Sequence, residues 1–147
     1  MVDLATNKAA DLAVFRVDAT ELTPLALGDD AGVGSAVSII SHPDRRFFYQ
    51  SSGEVARYWK APRKSSAKDA TWMSVTADFA RGSSGGPALN GAGAVVGMAS
   101  STQSIHYGPT GKDGKPTGPL QRVTHNCVPV AAIRALTRAP ATAASPP

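Results

Sequence analysis

A run of five very small residues, GSSGG at positions 82–86, lies in the middle of this 147-residue chain and is followed directly by Pro87. Glycine adopts backbone conformations that other residues avoid, and it lets neighbouring backbone come close. Because strand-forming residues lie on both sides, a sharp turn is favoured over a flexible Gly/Ser linker. Such a turn exposes the Ser84 hydroxyl and directs the N–H groups of Gly82 and Ser84 at one point, where they would stabilise an oxyanion.

The composition fits one globular domain with many turns. Hydrophobic residues make up 42% of the chain and charged residues 18%, a balance typical of a protein with a buried core. The 14 glycines and 11 prolines favour short strands joined by turns, and hence an all-β fold. No apolar run is long enough to span a membrane. A single cysteine, Cys127, excludes an internal disulfide framework.

The charge pattern gives little sign of a nucleic-acid partner or a metal. The net charge is +4, but the basic residues are scattered and lack interleaved aromatic side chains, so we interpret them as solvated surface. His125 and Cys127 are spaced to share one side of a strand, yet two ligands do not make a metal site. We therefore predict no cofactor and no metal. The residues after Met1 lack the pattern of a signal peptide, and the compartment stays open.

Short apolar runs predict the secondary structure. We expect strands at residues 2–4, 12–17, 36–40, 47–50, 53–59, 71–75 and 126–128, a kink near Gly53, and a hairpin over residues 89–99 that turns at Asn90-Gly91. Residues 5–8 are predicted as a turn, 61–70 and 103–118 as exposed loops, 129–136 as a short helix, and 137–147 as a disordered Ala/Pro tail. Asp11 immediately precedes the strand at 12–17.

Several of these segments together resemble trypsin-like serine proteases, in particular the HtrA-like bacterial branch. The run Gly-x-Ser-Gly-Gly-Pro around Ser84 resembles the nucleophile loop of that family. Residues 10–17 resemble the segment that carries the triad aspartate, and residues 25–43 resemble the connection between the two barrels. Residues 95–100 are similar to the strand that lines the substrate cleft. The likeness extends from Asp11 to Leu136.

This resemblance implies a trypsin-like double β-barrel of which the second barrel is complete and only the end of the first is present. Residues 1–20 would be the last strands of the first barrel, 21–34 the inter-barrel linker, 35–136 the second barrel with its closing helix, and 137–147 the disordered tail.

The resemblance also implies a serine endopeptidase that acts on polypeptides without a cofactor. Ser84 would be the nucleophile, Asp11 the carboxylate that orients the base, and the Gly82 and Ser84 amides the oxyanion hole. Asp78 and Ser100 would belong to the substrate pocket. Asp78 lies six residues before Ser84, a spacing that in trypsin selects basic side chains, whereas HtrA-like relatives often prefer small apolar ones. A solvent-facing Asp78 is the simpler alternative.

The family's triad histidine should precede the aspartate, but none of the ten residues before Asp11 is histidine. We interpret His42, His106 and His125 as turn or surface residues. The sequence therefore predicts an N-terminally truncated protease with negligible peptidase activity, which would pair with the missing half of its first barrel. The alternative is a non-catalytic trypsin-like module, or a remnant, that binds peptides or partner proteins.

A second reading of the same loop is the Gly-x-Ser-x-Gly nucleophile elbow of α/β-hydrolases. That elbow must be followed by a helix, but here Pro87 and then Asn90-Gly91 follow. Asp113 and His125 do occur later in the order this enzyme class requires. Because no alternating β–α units surround them, the sequence disfavours this fold.

Overall fold

A computed structural model of the chain describes residues 2–61 and 70–138. Eight strands and one α-helix occur in these residues. Their bounds are β1 (Val2–Asn7), β2 (Leu12–Arg16), β3 (Ala36–Ser41), β4 (Tyr49–Lys60), β5 (Thr71–Val75), β6 (Pro87–Leu89), β7 (Val95–His106), β8 (Leu120–Pro129) and α1 (Val130–Arg138). No helix in the described part of the chain is both long and apolar enough to span a membrane.

Six strands form a closed antiparallel barrel in the order β3-β4-β5-β8-β7-β6. Closure lets each of these strands pair on both sides, so none of them presents a free edge. Alternate side chains point inward, because successive residues of a strand face opposite sides. The interior is apolar, and several of its residues are almost completely buried, among them Ile39, Val55, Met73, Val96 and Cys127.

Strands β1 and β2 form a separate two-stranded sheet that packs beside the barrel. A second apolar cluster holds this hairpin in place. In it Leu12 of β2 meets Trp72 and Val128 of the barrel, and α1 adds Ile133 and Leu136. The predicted fold class is therefore confirmed: one complete barrel, a short additional strand pair and a closing helix.

Two element predictions are wrong at their ends. Residues 5–7 continue strand β1, and the turn lies at residues 8–11. The sequence predicts residues 103–106 as part of a loop and predicts no element for residues 120–124, but both segments pair as an extension of β7 and β8, from Gln103 opposite Thr124 to Ile105 opposite Arg122. This extension is exposed, so its sequence lacks the buried alternate positions that reveal a half-buried strand.

Other differences are smaller. β4 is one continuous strand that excludes Phe47 and Phe48, and Gly53 permits close packing there, since a Cβ would lie 2.5 Å from the Thr76 hydroxyl oxygen. The turn after β6 spans residues 90–94, where the Asn90 side chain accepts hydrogen bonds from the Ala92 and Ala94 amides. Helix α1 reaches Arg138. Most of the predicted 61–70 loop and of the 137–147 tail lies outside the described residues.

Candidate active site

The loop that carries Ser84 connects β5 to β6 and depends on glycine at Gly82. Gly82 has a φ of 96°, a left-handed value that other residues rarely adopt. A Cβ at this position would also lie 2.8 Å from the His42 carbonyl oxygen. Because both the dihedral angle and the available space exclude a side chain, Gly82 fixes the path of the loop just before Ser84.

Backbone hydrogen bonds attach this loop to the barrel on two sides. The Asp44 amide, in the turn after β3, donates to the Arg81 carbonyl at 2.8 Å. The Gly85 amide donates to the Ala99 carbonyl of β7, also at 2.8 Å. The loop therefore takes its position from two barrel strands rather than from its own sequence alone.

The amides of Gly82 and Ser84 have no hydrogen-bond partner among the described residues. Between them, Ser83 is 1% exposed, and its Oγ accepts a hydrogen bond from the Ser41 hydroxyl at 3.0 Å. Two free donors thus flank one anchored residue. This arrangement is suited to binding an oxygen atom that gains negative charge.

Asp11 lies at the start of β2, in the turn that joins it to β1. Its backbone is left-handed, with a φ of 54°, which aspartate tolerates better than most residues. The Asn7 side chain closes the same turn by accepting the Ala10 amide at 3.1 Å. The turn leaves the Asp11 carboxylate exposed on the side of the hairpin that faces β7.

Ser100 joins the two sequence-predicted catalytic residues. Its hydroxyl donates to Asp11 Oδ2 at 2.6 Å, while its carbonyl accepts the Ser84 hydroxyl at 3.0 Å. Ser84 and Asp11 are therefore both hydrogen-bonded to Ser100, at an exposed part of the surface where the hairpin lies against β7. The prediction had placed Ser100 in the substrate pocket; the contacts place it between the two chemical groups.

None of the three histidines forms a hydrogen bond, ion pair or ring contact with Ser84 or Asp11. His42 accepts the Phe48 amide at Nδ1 and packs against the Phe47 and Phe48 rings. His106 bonds the Gly118 carbonyl, and His125 is buried beside the Phe79 ring. The site thus contains a hydroxyl, two unpaired backbone amides and a carboxylate, and none of the three histidines is hydrogen-bonded to it.

Asp78 lines a cavity of about 610 Å³ that begins at the nucleophile loop, just before Ser84. Its side chain is 87% exposed and lies 3.9 Å from His125 Nδ1. Arg46, Arg81 and His125 also line the cavity. The sequence analysis named neither arginine as a site residue, and its surface role for His125 is wrong, because that residue is only 7% exposed. No local motif marks them, because the pairing of distant strands brings them together.

Two other features lie away from the site. Burial raises the pKa of the Cys127 thiol to about 12, so this cysteine is a core residue rather than a second nucleophile. Burial, followed by the charge of Asp30, raises the pKa of Tyr58, which lines a cavity of about 840 Å³ beside α1.

Within the described ranges, no three histidine, cysteine or acidic side chains lie together as metal ligands would.

Solved structures of proteases share this fold. The Rv3671c protease from M. tuberculosis in its active form has a TM-score of 0.69 and 16% identity, covering 99% of this chain and 60% of its own. The HtrA-type protease AlgW, solved with a decapeptide, has a TM-score of 0.68 and 19% identity, covering 92% of this chain and 38% of its own. Deg5 has a TM-score of 0.63 and 20% identity, covering 91% of this chain and 57% of its own. The chain therefore spans less than two thirds of each of these relatives.

Sequence comparison identifies the family directly. No curated protein sequence matches the chain significantly. The family model of the trypsin-like peptidase domain, however, matches residues 2–98, which is more than half of the chain. Together with the closed barrel and the HtrA-type folds that resemble it, this match shows that the chain belongs to the trypsin-like peptidase family.

Proposed function

We propose that this chain carries the nucleophile and the orienting acid of a serine endopeptidase, which cleaves peptide bonds through an acyl-enzyme at Ser84. The observation that supports this proposal is the chain of hydrogen bonds from Ser84 through Ser100 to Asp11. An accidental Gly-Ser turn does not explain why a carboxylate from a separate sheet is hydrogen-bonded to the same residue that accepts the Ser84 hydroxyl.

Each group has a defined role in the proposed reaction. The Ser84 oxygen attacks the substrate carbonyl, and the Gly82 and Ser84 amides stabilise the oxyanion that forms. Asp11 holds a histidine ring in the orientation and tautomer that accept the Ser84 proton. Without that ring the Ser84 hydroxyl donates to the Ser100 carbonyl instead. An imidazole that enters between Ser84 and Asp11 would replace this bond.

We expect the general base to come from outside these 147 residues, because all three histidines have other surroundings. Loss of one triad member typically lowers activity by about 10⁴-fold or more. We therefore expect the isolated chain to have negligible peptidase activity. Rapid Ser84-dependent hydrolysis of casein by the purified chain would contradict this expectation.

Chemical rescue tests the proposal on the chain as it is. The purified protein is treated with a peptidyl phosphonate at increasing concentrations of free imidazole, and the modified residue is identified by mass spectrometry. We expect imidazole-dependent modification of Ser84, because added imidazole can take the place of the missing base.

Three variants give this experiment its controls. Ser84→Ala should abolish the modification, and Asp11→Asn should lower its rate about tenfold, since the acid no longer orients the base. Ser101→Ala, a neighbour of Ser100 outside the hydrogen-bond chain, should change nothing. The proposed function would be overturned if the modification depended neither on imidazole nor on Asp11, or if other serines were modified to the same extent as Ser84.

A non-catalytic peptide-binding module is the second candidate, and the absence of an imidazole beside Ser84 favours it. AlgW, which shares the fold, has been solved with a decapeptide. This alternative predicts peptide binding in the cleft with no modification of Ser84 at any imidazole concentration. The rescue experiment therefore separates the two functions.

A further inference from the structure

The cavity that begins at the nucleophile loop carries more positive than negative charge. We propose that it binds an acidic side chain, glutamate or aspartate, of a peptide whose carbonyl lies at Ser84. This inference rests on the proposed function for the placement of the peptide. The charge, hydrogen-bonding groups and exposure of the cavity wall point to the carboxylate.

One wall is a patch of the β7–β8 ladder. Thr102 lies opposite His125 and Ser104 lies opposite Val123, so these four side chains adjoin. The hydroxyl groups of Thr102 and Ser104 are exposed and have no hydrogen-bond partner in residues 2–61 and 70–138. Free hydroxyl groups can donate hydrogen bonds to a carboxylate.

His125 provides a further donor on this wall. The residue is 7% exposed, and its ring contacts Phe79 edge-on at a centroid distance of 4.9 Å. Its Nδ1 lies 3.9 Å from Asp78 Oδ1, which is too far for a hydrogen bond. In the described part of the chain, every fully enclosed side-chain nitrogen or oxygen has a hydrogen-bond partner. The unbonded ring of His125 must therefore reach the open space of the cavity.

Two guanidinium groups lie at the mouth. Arg81 immediately precedes the oxyanion loop and lines this cavity and the adjacent one, and it has no ion-pair partner among the described residues. Arg46 is paired with Asp44 at 2.6 Å, but both side chains are more than two thirds exposed. Such an exposed pair is weak, and a guanidinium has five donors, so Arg46 can still bind a second carboxylate.

The only carboxylate among the described lining residues, Asp78, is too exposed to reverse this balance. With 87% of its side chain accessible, water screens its attraction for a basic ligand. Arg46 and Arg81 are exposed and screened in the same way, so a lysine or arginine side chain is disfavoured because two guanidinium groups and only one carboxylate line the described cavity wall. A purely apolar side chain would displace water from hydroxyl, imidazole and guanidinium groups without replacing their hydrogen bonds, which is unfavourable.

Peptide binding tests this inference independently of catalysis. The Ser84→Ala chain is titrated with the peptides acetyl-Ala-Ala-Xaa-amide, in which Xaa is Glu, Gln, Leu or Lys. Affinity is measured by calorimetry, and the site is located by NMR shifts of the His125 ring. We expect the Glu peptide to bind about tenfold more tightly than the Gln peptide, and the Lys and Leu peptides to bind more weakly still.

Variants of the cavity identify the groups responsible. Arg81→Gln should lower the affinity for the Glu peptide about tenfold while leaving the Gln peptide nearly unaffected. His125→Gln, checked for folding by its thermal transition, should do the same to a smaller extent. Arg45→Gln is the matched control, because Arg45 lines the adjacent cavity but not this one, and it should change affinity by no more than about twofold.

Tightest binding of the Lys or Leu peptide, or equal binding of all four, would overturn the inference. So would a preference for glutamate that survives Arg81→Gln together with unshifted His125 signals. None of these outcomes depends on chemistry at Ser84. Failure of chemical rescue with a retained preference for glutamate would reject the proposed function's catalytic step while leaving this pocket assignment in place.

Discussion

The barrel and the β1–β2 hairpin each supply part of the candidate site, but they are held together very differently. Every barrel strand has hydrogen-bonded neighbours on both sides. The hairpin has two strands only, and within the described residues each has one open edge. Its β2 strand also carries Phe15 with 49% of its surface exposed. A two-stranded sheet is marginally stable in water. A strand of a closed barrel is held more firmly, because its detachment would break the hydrogen bonds to both neighbouring strands.

This difference places the two chemical groups on elements of unequal stability. Ser84 belongs to a loop that is hydrogen-bonded to the closed barrel. Asp11 belongs to the hairpin, whose attachments include the buried Leu12 side chain and the hydrogen bond to Ser100. We therefore expect the nucleophile loop to stay formed under conditions in which the acid already moves away. The following variants test that order.

The largest effect is expected for Ile39→Ala in the barrel. Ile39 is completely buried in β3, which pairs with both β4 and β6. Truncation removes buried apolar surface and leaves a cavity, so we expect the free energy of unfolding in urea to fall by about 2–5 kcal/mol. Val33→Ala is the control, since Val33 is 66% exposed, and it should cost less than about 0.5 kcal/mol. Equal losses would show that the barrel interior is not the main source of stability.

Alkaline pH should destabilise the barrel through Cys127. Its folded-state pKa of about 12 is raised above the ordinary value of 9.0, so the folded state disfavours the thiolate. The stabilising contribution is complete below pH 9 and is lost as pH rises toward 12, which amounts to about 3 kcal/mol at pH 11. Urea unfolding at pH 8 and pH 11 measures this loss. The difference should become much smaller in Cys127→Ala, where Tyr58 with its raised pKa still contributes, and an identical pH dependence in that variant would contradict the assignment.

Leu12→Ala should detach the hairpin and spare the barrel. Leu12 is 7% exposed in the cluster beneath α1, and its truncation should cost about 2 kcal/mol locally. Hydrogen exchange should accelerate for the β1 and β2 amides but not for those of β5 and β8. Phe15→Ala, on the same strand but half exposed, should have little effect. Accelerated exchange throughout the barrel would mean that the two parts unfold as one unit.

The smallest effect is expected for Ser100→Ala, which removes the 2.6 Å hydrogen bond to Asp11. Because this bond lies near the surface, we expect a loss of about 1 kcal/mol or less, seen as roughly fivefold faster exchange at the start of β2. Ser101→Ala provides the comparison, since its exposed side chain makes no hydrogen bond among the described residues. Indistinguishable exchange in the two variants would remove Ser100 as a tether of Asp11.

The sequence predicted buried strands well, but it predicted exposed strands and contacts between residues far apart in the chain poorly. The strand at Thr71–Val75 was predicted with its observed bounds, since a buried strand gives a compact apolar run. The exposed ends of β7 and β8 give no such run, so the end of β7 was interpreted as loop and the start of β8 was not predicted. The hydrogen bond between Asp11 and Ser100 spans 89 residues, and the pairing of Thr102 with His125 is also non-local, so no local pattern reveals either. The resemblance to a family located Asp11, but the role of Ser100 in the cleft needed the fold.

The left-handed backbone at Asp11 also limits how this site can change by mutation. Asparagine accepts the same dihedral angles as aspartate and differs from it by one amide group, whereas branched or bulky replacements would strain the turn. Selection for the fold alone would therefore tolerate Asp11→Asn. This single substitution removes the negative charge of the site and leaves the fold intact. Retention of a carboxylate at this position across descendants would consequently record selection for chemistry rather than for folding.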